Sequence, residues 1–192
     1  MIPLALTPSR LQLGLVGAGA PGVRRLRALR AAGAMTLAVY TQDPELAAEA
    51  GVVPCPALPG AEEIGQLHAL WIAGLTREQY VPLAEAARTQ RVLLNVEDVP
   101  GYCDFHAVAE LRRGDLLIGI STGGTAPGLA GALRRRMETC FPTDWTARVA
   151  EITAQRQAWR AEGMTMAEIA QRIEAWMDMQ CWPACPKSGQ TS

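Results

Sequence analysis

The stretch Gly17-Ala18-Gly19-Ala20-Pro21-Gly22 has the G-x-G-x-x-G spacing of a loop that cradles a dinucleotide pyrophosphate. Each glycine has its own task in that chemistry. Gly17 permits a tight turn, Gly19 lets the pyrophosphate approach the backbone, and Gly22 lets the following helix sit close to a sheet. Ala20 belongs to the same turn, and Pro21 suits a first helical position, where its missing N–H is not needed. The plainer alternative is a strand–turn–helix joint without a ligand. A ribose-binding acid should follow about 20 residues on, at the end of the next strand. Asp43 is the nearest candidate, although Asp43-Pro44 also reads as an ordinary helix start.

Two further stretches carry functional groups. "NVEDVPGYCDF", from Asn95 to Phe105, begins where a strand ends, the place at which ligands of open α/β sheets collect. Its adjacent Glu97 and Asp98 point to opposite faces of an extended segment, so one can face a cleft while the other faces solvent. "ISTGGTAPGLAGALRRRME", from Ile120 to Glu138, joins hydroxyls, glycines and three arginines. It lacks the lysine of a phosphate-binding P-loop. Consecutive arginines fan out around a helix, so only one or two of Arg134, Arg135 and Arg136 can face a ligand. The plain reading of the others is a solvated face.

These groups need a scaffold, and the hydrophobic pattern supplies one. Leu11–Val16, Met35–Tyr40, Leu67–Ile72, Arg91–Val96 and Leu116–Ser121 read as strands. Val23–Ala32 and Arg77–Thr89 read as helices, and Val108–Arg112 as a short one. Val52–Gly60 is loop. Strands alternating with helices predict a Rossmann-like doubly wound parallel sheet. Helices are expected over Ala126–Cys140, Thr143–Ala161 and Thr165–Met179, the last opened by a Thr165/Glu168 capping box.

The chain has 192 residues, 49% hydrophobic and 19% charged, which is a globular balance. A net charge of -1 gives no basic field for nucleic acid. Lys187 is the only lysine, so the cations are arginines, whose planar fork suits carboxylates and phosphates. Five unevenly spaced cysteines argue against a disulfide framework, and Cys181 and Cys185 read as loose thiols rather than a zinc site. The opening "MIPLALTPSR" lacks the pattern of a secretory signal, and no run is long enough to span a membrane. A cytoplasmic protein with a frayed tail is expected.

Three blocks in order resemble one family. "IPLALTPSRLQLGLVGAGAPGVRR", "LLNVEDVPGYCDF" and "IGISTGGTAPGLAGALRRRME" are similar to the opening segment, the N-V-x-D block and the I-S-T-x-G signature of the precorrin-2 dehydrogenase/sirohydrochlorin ferrochelatase family, which includes the N-terminal region of siroheme synthases. The resemblance implies an NAD-binding domain over residues 1–115, a dimerisation segment over 116–142 and a C-terminal helical domain over 143–192. It implies a homodimer that oxidises precorrin-2 to sirohydrochlorin with NAD, with ferrous iron insertion in some members. The family's essential aspartate falls on Asp98, as general base and participant in metal insertion. A serine phosphorylated in some members falls on Thr122. Asn95, Ser121, Thr122, Gly123, Gly124 and Arg134 become the substrate-binding candidates, small residues making room for a macrocycle and arginine meeting its carboxylates.

The chain also departs from the family's pattern. Ala73-Gly74-Leu75-Thr76 stands where an A-T-[DN] sequence lies beside the cofactor, making Ala73 and Gly74 the cofactor-side residues. Ala18 replaces a common glycine, Gly22 a common alanine, and the proline expected near Val108 is missing. The methyltransferase domain of bifunctional synthases is not expected in this chain. The alternatives are a non-redox member that carries or senses a tetrapyrrole or metal, and a chelatase that does not use NAD.

Overall fold

The computed structural model describes residues 1–55 and 57–183. Two compact units divide the chain between His106 and Ala107.

The first unit is built on β1 (Leu13–Gly17), β2 (Ala38–Tyr40), β3 (Ala69–Ala73) and β4 (Leu93–Val96), all parallel in the order β2-β1-β3-β4. Between them run α1 (Gly19–Ala31), α2 (Pro44–Ala50), α3 (Ala61–Gly65) and α4 (Arg77–Thr89). The central strands β1 and β3 are buried along their whole length, as expected when both faces of a sheet are covered. Leu13, Leu15, Ala69 and Trp71 meet Val23, Leu26 and Leu29 of α1 and Leu46 of α2. On the opposite face Val16, Leu70, Ile72, Leu94 and Val96 meet Ile64 of α3 and Tyr80, Leu83 and Ala87 of α4. The period of two along each strand divides the side chains between these cores. Fully buried leucines and isoleucines such as Leu15, Leu26, Leu70 and Ile72 each contribute about 1.5–3 kcal/mol relative to exposure.

The outer edge of β4 is closed by the segment that follows it. Asp104 donates its N–H to the Leu94 carbonyl (2.7 Å), and its carboxylate accepts the Leu94 N–H (2.9 Å). Phe105 then stands edge-on to Trp71, with ring centroids 5.0 Å apart. One acidic residue thereby satisfies both backbone groups of Leu94 that an edge strand would leave open.

The expected fifth parallel strand is not in this sheet. Leu116–Ile120 forms β6, which pairs antiparallel with β5 (Ala109–Arg113), a segment whose pattern predicts a helix. The physical reason is local. Gly114 and Asp115 alone separate the paired Arg113 and Leu116, and Gly114 has φ 58°, so the chain turns back at once. β5 and β6 belong to the second unit.

That second unit continues with α5 (Pro127–Cys140), α6 (Trp145–Ala161) and α7 (Met166–Met179). Leu111, Ala130, Cys140, Trp145 and Ile169 are its buried residues, and aromatic rings gather around Trp145. Trp145 is buried, 4.8 Å from Phe141 and 5.8 Å from Trp182 between centroids, and Arg148 lies 4.3 Å over the Trp182 ring. Trp159 and Trp176 link α6 to α7 in an edge-on contact. The Thr165/Glu168 capping box is present, with the Glu168 carboxylate accepting from the Thr165 N–H at 2.8 Å and the Thr165 hydroxyl accepting from the Glu168 N–H at 3.3 Å. Val108, Leu117, Leu129, Met166 and Met179 of this unit are exposed.

Cys55, Cys103 and Cys181 are free thiols, while Cys140 is disulfide-bonded. Cys185, the other half of the C-x3-C pair, and the part of the expected frayed tail "CWPACPKSGQTS" from residue 184 onward lie outside the described residues, while Trp182 within it packs against Trp145.

Candidate active site

The glycine-rich loop joins β1 to α1 and is fastened on two sides. Ala18 donates its N–H to the Ala73 carbonyl at the end of β3 (3.0 Å). Gly22 donates to the Ala18 carbonyl and packs against Gly17, where a β-carbon on Gly22 would stand 2.8 Å from Leu46 Cδ2. Gly74 passes closest of all. Its φ is 73°, and a β-carbon there would lie 2.1 Å from the Ala18 carbonyl oxygen. The absence of a side chain at Gly74 thus lets the end of β3 fold against the loop. Gly19, with φ 56°, has only Pro21 Cδ within 4 Å of a built β-carbon, at 3.7 Å, so its side is open.

Asp43 is bound into the same loop. One carboxylate oxygen accepts the Leu46 N–H (2.9 Å) and caps α2; the other accepts the Gly19 N–H (2.9 Å). Thr41 sets the approach. It is fully buried, its hydroxyl donates to the Gly17 carbonyl (2.7 Å), and it accepts the Asp43 N–H (2.9 Å). Asp43 therefore starts α2 with one oxygen, as its Asp-Pro sequence suggests, and binds the loop's Gly19 N–H with the other. The Leu46 N–H, and next the Gly19 N–H, hold the Asp43 carboxyl below its usual range.

A pH prediction follows from that direction. The carboxylate's contribution to stability is present above its unfolded value, about 4. It is lost as the pH falls through the lowered folded value. Urea midpoints for the wild type and Asp43→Ala should therefore differ by a constant amount above about pH 4 and converge below it. A difference that persists undiminished in acid would show that the carboxylate charge is not what holds the loop.

At the end of β4 the residues separate by role. Asn95 is buried, 6% exposed, and its amide donates to the Phe105 carbonyl (2.8 Å) and to Cys103 Sγ (3.6 Å). It braces the segment that closes the sheet edge. Cys103 donates to the Val96 and Val99 carbonyls, and burial pushes its thiol pKa up, so it is a structural donor rather than a nucleophile. Asp98 is exposed at φ 62°, at the tip of the tight turn after β4. It has no hydrogen-bond or ion-pair partner among the described residues. Glu97, beside it, turns inward to Arg25 of α1, with Nη2 and Oε2 3.6 Å apart. The pair lies in a turn rather than an extended segment, with Glu97 the more covered member and Asp98 the exposed one.

In the second unit, Ser121–Ala126 form the turn between β6 and α5. Ser121 Oγ accepts the Gly123 N–H (3.2 Å) and Thr122 Oγ1 accepts the Ala126 N–H (3.2 Å). The Thr122 carbonyl accepts the Thr125 hydroxyl (2.6 Å). Gly123 and Gly124 are exposed. Arg134 is half-exposed and paired with Glu138 one turn along α5. Among the described residues no three His, Cys, Asp or Glu side chains are grouped to hold a metal ion, and no helix is long and apolar enough to cross a membrane.

An NAD(P)-binding family model matches residues 4–109. The siroheme synthase of Nitrosococcus oceani is 30% identical across 91% of this chain, and that of Citrobacter koseri 33% across 67%. The chain belongs to the siroheme synthase/precorrin-2 dehydrogenase family. It spans 41% and 29% of the length of those two relatives. The fold is also that of SirC, a precorrin-2 dehydrogenase, with a TM-score of 0.68 over 94% of this chain and 91% of that one at 17% identity.

Within this family member, sequence reasoning passed over two anchors. Thr41 is a lone threonine among polar residues, and nothing local marks it as buried. Arg25 and Glu97 lie far apart along the chain, and only their opposite charge hinted at a pair.

Proposed function

We propose that this chain is an NAD-dependent precorrin-2 dehydrogenase that forms sirohydrochlorin. One observation carries the reading. The open-sided Gly19 loop and the exposed Asp98 turn leave β1 and β4 at the same, carboxyl edge of a single parallel sheet. That edge is where α/β sheets place cofactor and reacting groups.

The residues fit a dinucleotide. A β-carbon at Gly17 would press on the Ala73 carbonyl oxygen and one at Gly22 on Leu46, while the open side of Gly19 admits a pyrophosphate. Asp43 spends one acceptor site per oxygen on backbone N–H groups, and a carboxylate retains further lone pairs for ribose hydroxyls. Ala20, Pro21, Ala73 and Gly74 complete the cofactor side. Held by these residues, NAD would supply the hydride acceptor for the oxidation. Asp98 receives the accompanying proton, free of any competing partner on its own unit. Ser121, Thr122, Gly123, Gly124 and Arg134 are assigned to the tetrapyrrole and its carboxylates, and Asn95 to support of the Asp98 strand. Exposed Leu117 and Leu129, with a two-stranded ribbon that is marginal alone, support a homodimer through residues 116–142. A cytoplasmic setting fits this chemistry.

The test supplies precorrin-2 and NAD and follows sirohydrochlorin absorbance with NADH. Turnover of both in equal amounts is expected. Tight tetrapyrrole binding without turnover would overturn the enzyme reading. A second reading rests on the Gly19 N–H, which is already donated to Asp43. A non-redox carrier, or a ferrochelatase acting on sirohydrochlorin and ferrous iron through Asp98, needs no NAD. Calorimetry with NAD separates the readings, because neither of these requires binding.

A further inference from the structure

We infer that Glu97 is a positioning residue, which uses Arg25 to tie the Asp98 turn to the cofactor helix. The inference rests on the reading of Asp98 given above.

Asp98 is a weakly held residue in a demanding place. Its backbone is left-handed, its side chain is free of partners, and a Val99 N–H to Val96 carbonyl bond of 3.1 Å closes its turn. Glu97 is held at both ends instead. Its N–H donates to the Ile72 carbonyl of β3 (2.9 Å), and its carboxylate faces Arg25. Both side chains are largely covered, 17% exposed for Arg25 and 20% for Glu97. Arg25 Nε and Glu97 Oε2 are buried without a hydrogen-bond partner.

A covered pair at 3.6 Å with unsatisfied atoms is a poor source of stability, because desolvation offsets much of the attraction. Its directional effect is another matter. Arg25 sits on α1, the helix that the glycine-rich loop opens, and Glu97 directly precedes Asp98. The pair therefore links the element that would carry the cofactor to the residue that would take the proton. Removing either charge leaves the other covered and unpaired, and the turn would shift to release it. Displacement by a fraction of an ångström is enough to slow a positioned proton transfer.

The experiment compares the wild type, Glu97→Gln, Arg25→Met, the double variant and the swapped pair Arg25→Glu/Glu97→Arg. Steady-state kinetics with precorrin-2 and NAD is combined with hydrogen exchange of the 93–99 segment. Each single variant is expected to lower kcat roughly tenfold, with both KM values within about twofold. The double variant should be no slower than the singles, and the swap should recover most of the loss. Exchange in the turn should rise in the singles and fall back in the swap. Unchanged kcat in Glu97→Gln, with an active wild type, would overturn this inference alone. So would strictly additive losses. An inactive wild type, or an Asp98→Asn variant with full activity, would overturn the reading of Asp98 and the tether with it.

Discussion

Asp98→Asn is expected to lower kcat for sirohydrochlorin formation by about 10²- to 10⁴-fold, the usual contribution of a positioned acid or base. Asparagine is the informative replacement because the backbone at Asp98 has φ 62°. Asparagine and aspartate enter this left-handed region readily, whereas alanine there would add about 1–2 kcal/mol of strain. The side chain is exposed and makes no contact that the amide would break. Stability should therefore stay within about 0.5 kcal/mol of the wild type. NAD affinity should also hold, because the glycine-rich loop is fastened through Ala18, Thr41 and Asp43. Activity within a few-fold of the wild type would remove Asp98 from the chemistry. A large fall in stability would instead mark it as structural.

Gly74→Val is expected to have the largest effect on the fold and on the cofactor loop together. A β-carbon at Gly74 would lie 2.1 Å from the Ala18 carbonyl oxygen, and φ is 73°. The obstructing atom is backbone, so no change of rotamer relieves the contact. Left-handed strain and overpacking together should cost about 2–5 kcal/mol. The cheapest relief breaks the Ala18 N–H to Ala73 carbonyl bond and swings the loop away from β3. NAD affinity should then fall at least about tenfold, since about 1.4 kcal/mol of displaced loop suffices. Urea unfolding and calorimetry read the two effects separately. A variant as stable as the wild type, with undiminished NAD affinity, would show that the loop is not gripped by the end of β3. The Gly22 position offers a contrast. A β-carbon there meets the tip of Leu46, a side chain able to move.

Much of the first unit could be read without coordinates. Leu13–Gly17 and Ala69–Ala73 are short apolar runs ending in glycine or alanine, and buried parallel strands have that appearance because both faces are covered. α4 spans Arg77–Thr89, as its apolar period requires. α7 begins where Thr165 and Glu168 satisfy each other's orphan donors. These features are local, and local geometry alone specifies them.

The antiparallel ribbon was less legible. Leu116–Ile120 has the apolar run of a buried strand, yet Leu117 is exposed. Ala109–Arg113 buries Leu111 alone, too little for an alternating pattern to show. A run of apolar residues states that a segment is extended but not which strand it joins. The Gly114–Asp115 turn was the available signal, and its short length decided the pairing.

The sequence by itself determined the family, the parallel αβ unit, the glycine-rich loop and the acidic pair after β4. Only the tertiary structure decided what those groups touch. It placed both oxygens of Asp43 on backbone N–H groups, turned Glu97 onto Arg25, left Asp98 free, and committed Asn95 to the edge of the sheet. The reason is physical. Periodicity and capping depend on residues within a turn or two, whereas a carboxylate's partner depends on which distant element packing brings against it.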